Sequence, residues 1–314
     1  MKVSIITALF NCLELTRKCM DTLESTVPAG LDFEWILVDD GSTDGTRAFL
    51  PQWAASRPFC RVVLNPQNMG YARSNNLGAS MATGTHLLFL NNDTELSPGW
   101  LEPMMQAYRR LRHRRPGIVG NVQRRIGDGR IDHAGVYINS RAKPDHLSVE
   151  PVQAFPQLEY CERTAATGAC ILVPAQVFRE VGGFDEVFLN GGEDMDLNFK
   201  VRAAGYRVFV ANRSVIGHHV SASPGRNNHH ERNTRRVFEK WRDFLIREGA
   251  RTWAREYLAN DGGKNRFWQD RLYRECFFYA RGWRNTAPAK AHEEVENFVV
   301  EQEEVWARMF PSGN

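Results

Sequence analysis

Within the first ninety residues, short apolar runs alternate with segments of helical period, and several of the runs end on carboxylates or amides. No other feature narrows the fold so far. The spacing predicts a strand at 2–7, a helix over 13–25, a strand at 33–38 leading into Asp39 and Asp40, and a helix capped by Ser42 or Thr43 that continues through Phe49 and Trp53. A strand at 61–64, a helix over 71–81 and a strand at 85–90 follow. Short apolar strands joined by helices form a parallel sheet covered on both faces. The expected class is α/β, a Rossmann-like, mostly parallel central sheet with helices on both faces.

Beyond Glu95 the rhythm loosens. A helix is expected over 98–113, a strand at 117–122, and loops with short strands over 123–162. Order returns with a strand at 169–173, helices over 174–181 and from Glu193, and a strand at 206–210; the remainder reads as helical. Forty Lys and Arg against thirty-seven Asp and Glu leave a net charge of +3 over 314 residues, which excludes a bulk nucleic-acid binder and makes any affinity for phosphate local. No apolar run approaches the roughly 18 to 20 residues of a membrane span. The N-terminal stretch, with Ser4, Thr7 and Asn11, reads as a strand rather than a leader, so a cytoplasmic chain is expected. The six cysteines contain no C-x-x-C pair and read as buried free thiols.

In a doubly wound sheet, ligands gather at the carboxyl ends of the strands, where Thr7 to Asn11, Asp39 with Asp40, and Asn91 to Asp93 all fall. An acid at a strand end also caps the next helix, but three such clusters on one edge favour a site. In VDDGSTDGT, Asp40 suits the N3 proton of a uracil or thymine, while Asp39 and Asp44 equally suit stabilising the turn and helix start. In LLFLNNDTELSPGW, the oxygens of Asn91, Asn92 and Asp93 suit a hard divalent cation, Mn2+ or Mg2+, of the kind a departing nucleoside diphosphate needs. In GFDEVFLNGGEDMDLNFK, a glycine pair delivers Glu193 and Asp194 to the first turn of a helix, as simple caps or as a general base. VIGHHVSAS places His218 just past a strand, where its imidazole suits a cation shared with Asp93.

In this combination the chain resembles a family 2 glycosyltransferase of the GT-A fold, similar to bacterial O-antigen and surface-glycan glycosyl- and rhamnosyltransferases. The resemblance covers roughly residues 3–241 and rests on SIITALFN, VDDGSTDGT, NMGYARSNNLGASMATGTHLLFLNNDTELSPGWL, TGACILVPAQVFREVGGFDE, GGEDMDLNFKVRAAGYRV and HHVSAS. It implies that Thr7, Asp40 and Asp39 hold the nucleoside and that the family's Asp-x-Asp metal motif falls on Asn91, Asn92 and Asp93. Asn stands at the motif's first position, which leaves Asp93 as the firmest metal ligand, with Asn91 and His218 beside it and Asn92 among the nucleotide contacts. It further implies that Asp194 is the catalytic base supported by Glu193, that Arg73 and Asn76 face the nucleotide, and that Gly168 leaves room for the sugar.

The activity so implied is inverting, metal-dependent transfer from a UDP- or dTDP-sugar to a glycan, glycolipid or other hydroxyl acceptor. The rival readings are a sugar nucleotidyltransferase and a non-catalytic glycan-binding scaffold. TALFNCLELTRK lacks the glycine-rich phosphate loop of the first, and intact Asp93, Glu193 and Asp194 argue against the second. The expected organisation is a transferase domain over 1–240, with a nucleotide-binding half to about 115 and an acceptor half from 116, then a helical extension over 241–314. That extension mixes Trp253, Trp268, Phe277, Phe278, Trp283 and Trp306 with charges. Packing of these aromatics on the main domain is the first expectation; shaping the acceptor site, a homodimer contact and a peripheral membrane contact are the functional ones.

Overall fold

The first strand, β1 (Val3–Leu9), sends Val3, Ile5 and Leu9 into one core layer with Met20 and Leu23 of α1 (Leu13–Thr26), and Ile6 into a second layer on the opposite face. β4 (His86–Leu90) repeats the arrangement, with Leu88 and Leu90 in the first layer and Leu87 and Phe89 in the second. Two apolar faces demand two covers, which is why helices lie on both sides of the sheet. The computed structural model describes residues 1–148, 158–219, 229–260 and 267–311. These divide into one unit of Met1–Val136 with His146–Asn233 and a second of Tyr137–Asp145 with Thr234–Asn314.

In the first unit, β1 pairs in parallel with β2 (Phe33–Asp39) and with β4, and β2 pairs in parallel with β3 (Cys60–Leu64). α2 (Thr46–Ala54), α3 (Tyr71–Met81), β5 (Thr94–Leu96) and α4 (Glu102–Arg110) complete the first half. The second half contributes β6 (Pro116–Arg125), β7 (Ile131–His133), β10 (Tyr160–Arg163), β11 (Cys170–Pro174), α5 (Ala175–Glu180), α6 (Glu193–Ala203) and β12 (Arg207–His218), while β8 (Val136–Ile138) and β9 (Pro144–His146) fall mostly in the second unit. The main sheet has ten strands, ordered β10-β12-β6-β11-β4-β1-β2-β3, with β5 on β12 and β7 on β6. β12 and β6 are parallel, whereas β11 runs antiparallel to both β4 and β6. The expected α/β class with a mostly parallel centre is the class observed.

One local expectation fails. α2 starts at Thr46 after Gly45, not at a Ser42 or Thr43 cap. The Ser42 hydroxyl is already engaged, accepting from the Asn11 amide at 2.7 Å, and Asp44 serves the helix start by accepting from the Thr46 amide at 3.1 Å. Gly41 is required here. Its φ is +78°, and a Cβ would lie 2.6 Å from the Gln67 carbonyl carbon, so the segment after β3 can cross the turn only above a glycine.

The second unit carries three long elements. α7 (His230–Asn260) breaks at Trp241, whose φ of −122° and ψ of 20° separate two helical stretches. α8 (Arg271–Ala280) is capped by Asp270, which accepts from the Leu272 amide at 2.8 Å; α9 (Ala289–Met309) follows. Phe238 packs edge-on against buried Trp306, and the Trp253 indole donates to Glu294 at 2.7 Å. Trp268 and Trp283 are not packed away, being 82% and 70% exposed. Among the described residues no helix is long and apolar enough to cross a membrane. All six cysteines are free thiols, as expected, but only Cys19, Cys161, Cys170 and Cys276 are buried, with Cys12 and Cys60 partly exposed.

Candidate active site

Adjacent carboxylates at the end of β2 have opposite fates. The Asp40 carboxylate accepts from Asn65 Nδ2 (2.9 Å), the Met69 amide (2.8 Å), the Gly70 amide (2.9 Å) and the Ser74 hydroxyl (2.8 Å). Three of these donors meet Oδ1 and one meets Oδ2, so Asp40 anchors the loop that leads into α3. Asp39 spends only Oδ2, on Arg47 at 3.0 Å and the Ser42 amide at 3.3 Å. Its Oδ1 is buried with no hydrogen-bond partner among the described residues. Of the two expected base contacts, Asp40 is engaged by the loop into α3 and Asp39 keeps an unpartnered oxygen.

Thr7 also departs from expectation. Its side chain shares the face of Ile5 and Leu9, is buried, and accepts from the Trp35 indole at 3.0 Å, so it belongs to the core. The β1–α1 loop is held instead by its neighbours: Asn11 Oδ1 accepts from the Thr43 amide at 2.7 Å, and Asp44 from the Leu13 amide at 3.0 Å. Both Asn11 and Cys12 have positive φ, 57° and 61°, and these bonds hold them there.

At the end of β4, Asn91 and Asp93 each bury an Oδ1 with no hydrogen-bond partner among the described residues. Asn92 turns the other way and donates to Thr16 Oγ1 of α1 at 2.9 Å, which places its amide nitrogen in the scaffold rather than toward a nucleotide. β5 pairs with β12 in a register that sets His218 opposite Thr94. As a result His218 Nε2 lies 3.5 Å from Asp93 Oδ1, and both residues are buried, at 4% and 6% exposure. The other imidazole nitrogen, Nδ1, lies 3.4 Å from Asp132 Oδ2. Burial alone would lower the His218 imidazole, but the neighbouring carboxylates of Asp132 and Asp93 outweigh it and raise the group to about 9. His219 braces the same corner, its amide on the Asp93 carbonyl at 2.9 Å and its Nε2 2.7 Å from Glu95.

An orphaned buried polar atom calls for a partner, and three of them, two oxygens and a nitrogen, fit a divalent cation. Among the described residues no group of three or more His, Cys, Asp or Glu side chains forms a closed metal cage. The donors here are a carboxylate, an imidazole and an amide, oxygen and nitrogen groups that suit a hard divalent cation.

The Glu-Asp pair opens α6 after Gly192, whose φ is 89°. Glu193 is buried and accepts from the Gly191 amide at 2.7 Å. Asp194 accepts from the Met195 amide at 2.8 Å and from the Gly168 amide at 3.0 Å. Gly168 in turn receives the Tyr71 hydroxyl on its carbonyl at 2.9 Å. A Cβ at Gly168 would sit 3.1 Å from Asp194 Cβ and 3.2 Å from the Tyr71 hydroxyl oxygen, so the room this glycine leaves is filled by protein, not reserved for a sugar. Burial, then the charges of Glu193 and Asp194, with Asp93 among the smaller contributors, push the Tyr71 hydroxyl well above its ordinary range. One phenol therefore senses the carboxylates of Glu193, Asp194 and Asp93.

Arg73 and Asn76, expected toward the nucleotide, face the segment before the glycine pair. Arg73 lies 3.3 Å from Glu186, and Asn76 exchanges bonds with the Phe184 backbone, donating to its carbonyl at 2.9 Å and accepting from its amide at 3.0 Å. Sequence reasoning missed Tyr71, Asn65, Ser74 and Asp132. Tyr71 begins α3 in the quoted NMGYARSNN stretch and was legible as a helix-start residue; nothing in the polar 123–162 segment marked Asp132.

The sheet with its two helical covers is a GT-A fold. Residues 4–181, more than half of the chain, match the model for glycosyl transferase family 2, and the chain belongs to that family. It is 34% identical over 232 residues to O-antigen biosynthesis protein RfbC of Myxococcus xanthus, covering 71% of this chain and 18% of that protein. It is 26% identical over 250 residues to human polypeptide N-acetylgalactosaminyltransferase 15, covering 71% of this chain and 37% of that protein. The chain thus spans well under half of these relatives. Among solved structures it is similar to GalNAc-T7 with UDP, GalNAc and Mn2+ (TM-score 0.64, 16% identity, 99% of this chain and 58% of that one). It is also similar to the Pyrobaculum calidifontis mannosyltransferase PcManGT with GDP-Man and Mn2+ (TM-score 0.53, 18% identity, 99% and 76%).

Proposed function

We propose that this chain is an inverting glycosyltransferase that moves a hexosyl or deoxyhexosyl group from a UDP- or dTDP-sugar to a hydroxyl acceptor in bacterial surface-glycan assembly, with Mn2+ or Mg2+ as cofactor. The observation that carries it is the Gly168–Ala169 turn, bound at Gly168 by the Tyr71 hydroxyl and Asp194 and at Ala169 by the Asn91 amide, with His218 3.5 Å from Asp93. The O-antigen relative supports the surface-glycan setting, and the two solved relatives, captured with a nucleotide or nucleotide sugar and Mn2+, support the cofactor.

Asp39 Oδ1 is suited to accept the imino proton that uracil and thymine share, a charge-assisted bond in a buried place. Asp93, His218 and Asn91 would hold the cation, which when bound neutralises charge gathering on the departing diphosphate. Asp194, aimed by the Gly168 and Met195 amides, takes the proton of the acceptor hydroxyl. That oxygen bonds to the anomeric carbon as the carbon–diphosphate bond breaks on the opposite side, and the configuration inverts. Glu193 supports the turn that presents Asp194. A cytoplasmic setting, a peripheral membrane contact and a homodimer complete the proposal; exposed Trp268 and Trp283 beside Arg281 and Arg284 supply the amphipathic chemistry a membrane contact uses.

Asp194→Asn is expected to lower transfer by about 10²- to 10⁴-fold while donor affinity stays near wild type. Asp93→Ala is expected to weaken Mn2+-dependent donor binding. Transfer at the wild-type rate in Asp194→Asn, or retention of the donor's anomeric configuration by NMR of the first product, would sink this mechanism.

A further inference from the structure

β7 is three residues long and lies on the end of β6, with Gln123 opposite His133 and Arg124 opposite Ile131. The same end of β6 pairs with β12 as far as His218. Two ladders sharing one strand bring Asp132 beside the imidazole, 3.4 Å from Nδ1, while Nε2 faces Asp93. The next residue, His133, accepts from the Thr167 amide at 3.3 Å, so β7 is tied at the same time to the turn that carries Gly168. The orphaned oxygens of Asn91 and Asp93 belong to the loop that Nε2 faces, whereas Asp132 Oδ2 faces Nδ1. An imidazole that offers Nε2 to a cation must carry its proton on Nδ1, and that proton needs an acceptor.

We propose that Asp132 is a positioning residue for His218: by accepting the Nδ1–H it selects the tautomer and holds the ring plane that present the Nε2 lone pair, next to Asp93, to a divalent cation. This rests on the metal reading of His218 given above. Asp132 touches neither cation nor sugar; it acts through the imidazole.

The test is Mn2+ binding to the full chain without nucleotide, by calorimetry and by electron paramagnetic resonance of the free ion, with melting temperature measured separately in EDTA. Asp132→Ala is expected to weaken Mn2+ affinity by about 10- to 100-fold, the usual cost of losing an outer partner of a metal-binding histidine. Asp132→Asn, whose carbonyl still accepts from Nδ1, is expected to lose less. A merely structural role would lower the melting temperature in EDTA and leave the affinity of the folded protein unchanged, which overturns the proposal. Should Asp132→Ala fail to fold, long-range proton–nitrogen NMR of the wild-type chain with diamagnetic Zn2+ decides: a proton on Nδ1 supports the assignment, and a proton on Nε2 overturns it. His218→Ala separates the two ideas. If it weakens Mn2+ binding and Asp132→Ala does not, only the positioning role falls; if it binds Mn2+ as wild type does, the metal reading of His218 falls and takes Asp132 with it.

Discussion

Gly168→Ala perturbs the proposed base without touching its carboxyl group. The added Cβ meets Asp194 Cβ at 3.1 Å and the Tyr71 hydroxyl oxygen at 3.2 Å, each a few tenths of an ångström inside ordinary contact. Those two neighbours hold opposite ends of the same glycine, through its amide at 3.0 Å and its carbonyl at 2.9 Å, so relief on either side stretches a hydrogen bond. Overpacking of this size costs about 1 to 2 kcal/mol of stability. A displacement of about 1 Å at reacting groups costs roughly 100-fold in rate, so a few tenths should lower kcat about 3- to 10-fold. Donor KM should stay within about twofold, because Asp39 and the Asn91–Asp93 loop are not among the groups the Cβ meets. Steady-state transfer assays at saturating Mn2+ read both numbers, and Tyr71→Phe, which removes the hydroxyl from the carbonyl side, should shift kcat the same way. Wild-type kcat in Gly168→Ala would refute the placement of Asp194 as the base.

Asp39→Asn should raise the donor Kd about tenfold or more, while Arg47→Met, which breaks the ion pair on Oδ2 and spares Oδ1, should leave it nearly unchanged; equal effects would remove Asp39 from the base contact. Asp40→Ala strands four buried donors and should cost about 3 kcal/mol in urea unfolding, a loss far larger than a ligand-facing carboxylate would give. Glu34 yields a pH signature: burial opposes its charge, but donation from Ser4, from the Thr83 amide and hydroxyl, and from Arg61 holds it at about 2 against an ordinary 4.5. A depressed carboxyl stabilises the fold above the unfolded value and ceases to do so as pH falls from about 4.5 toward 2. Glu34→Gln should therefore be about 2 to 3 kcal/mol less stable at pH 7, with the difference shrinking through that acid window; a constant difference from pH 7 to pH 2 would exclude the linkage.

Strand ends were legible because hydrophobic period marks where a strand stops, and stopping points are where Asp39 and the Asn91–Asp93 loop had to lie, while a glycine pair before a helical period marked Glu193 and Asp194. What a one-dimensional pattern cannot show is which side chain another segment reaches first. Asp40 and Asp39 are consecutive and chemically identical, yet the loop from Asn65 to Ser74 returns over one and leaves an oxygen of the other bare. Thr7 lost its expected role to Trp35, twenty-eight residues away, and Asn76 to Phe184, 108 residues away. Asp132 had no signal at all, since a three-residue strand is too short to show alternation.

β11 enters the sheet against the grain of β4, so the chain just before it arrives where β4 ends, and the Asn91 amide donates to the Ala169 carbonyl at 2.9 Å. One peptide seam thereby joins the Asn91–Asp93 loop to the turn that binds Asp194. Diversification has a ready route across that seam. A recombination joint in the turn ahead of Cys170 would exchange Asp194, the proposed base, together with His218 on β12, without cutting the parallel ladders of β1 to β4 that carry Asp39 and lead to Asp93, and chimeras between distant lineages spliced at that point should keep the nucleotide preference of the N-terminal parent.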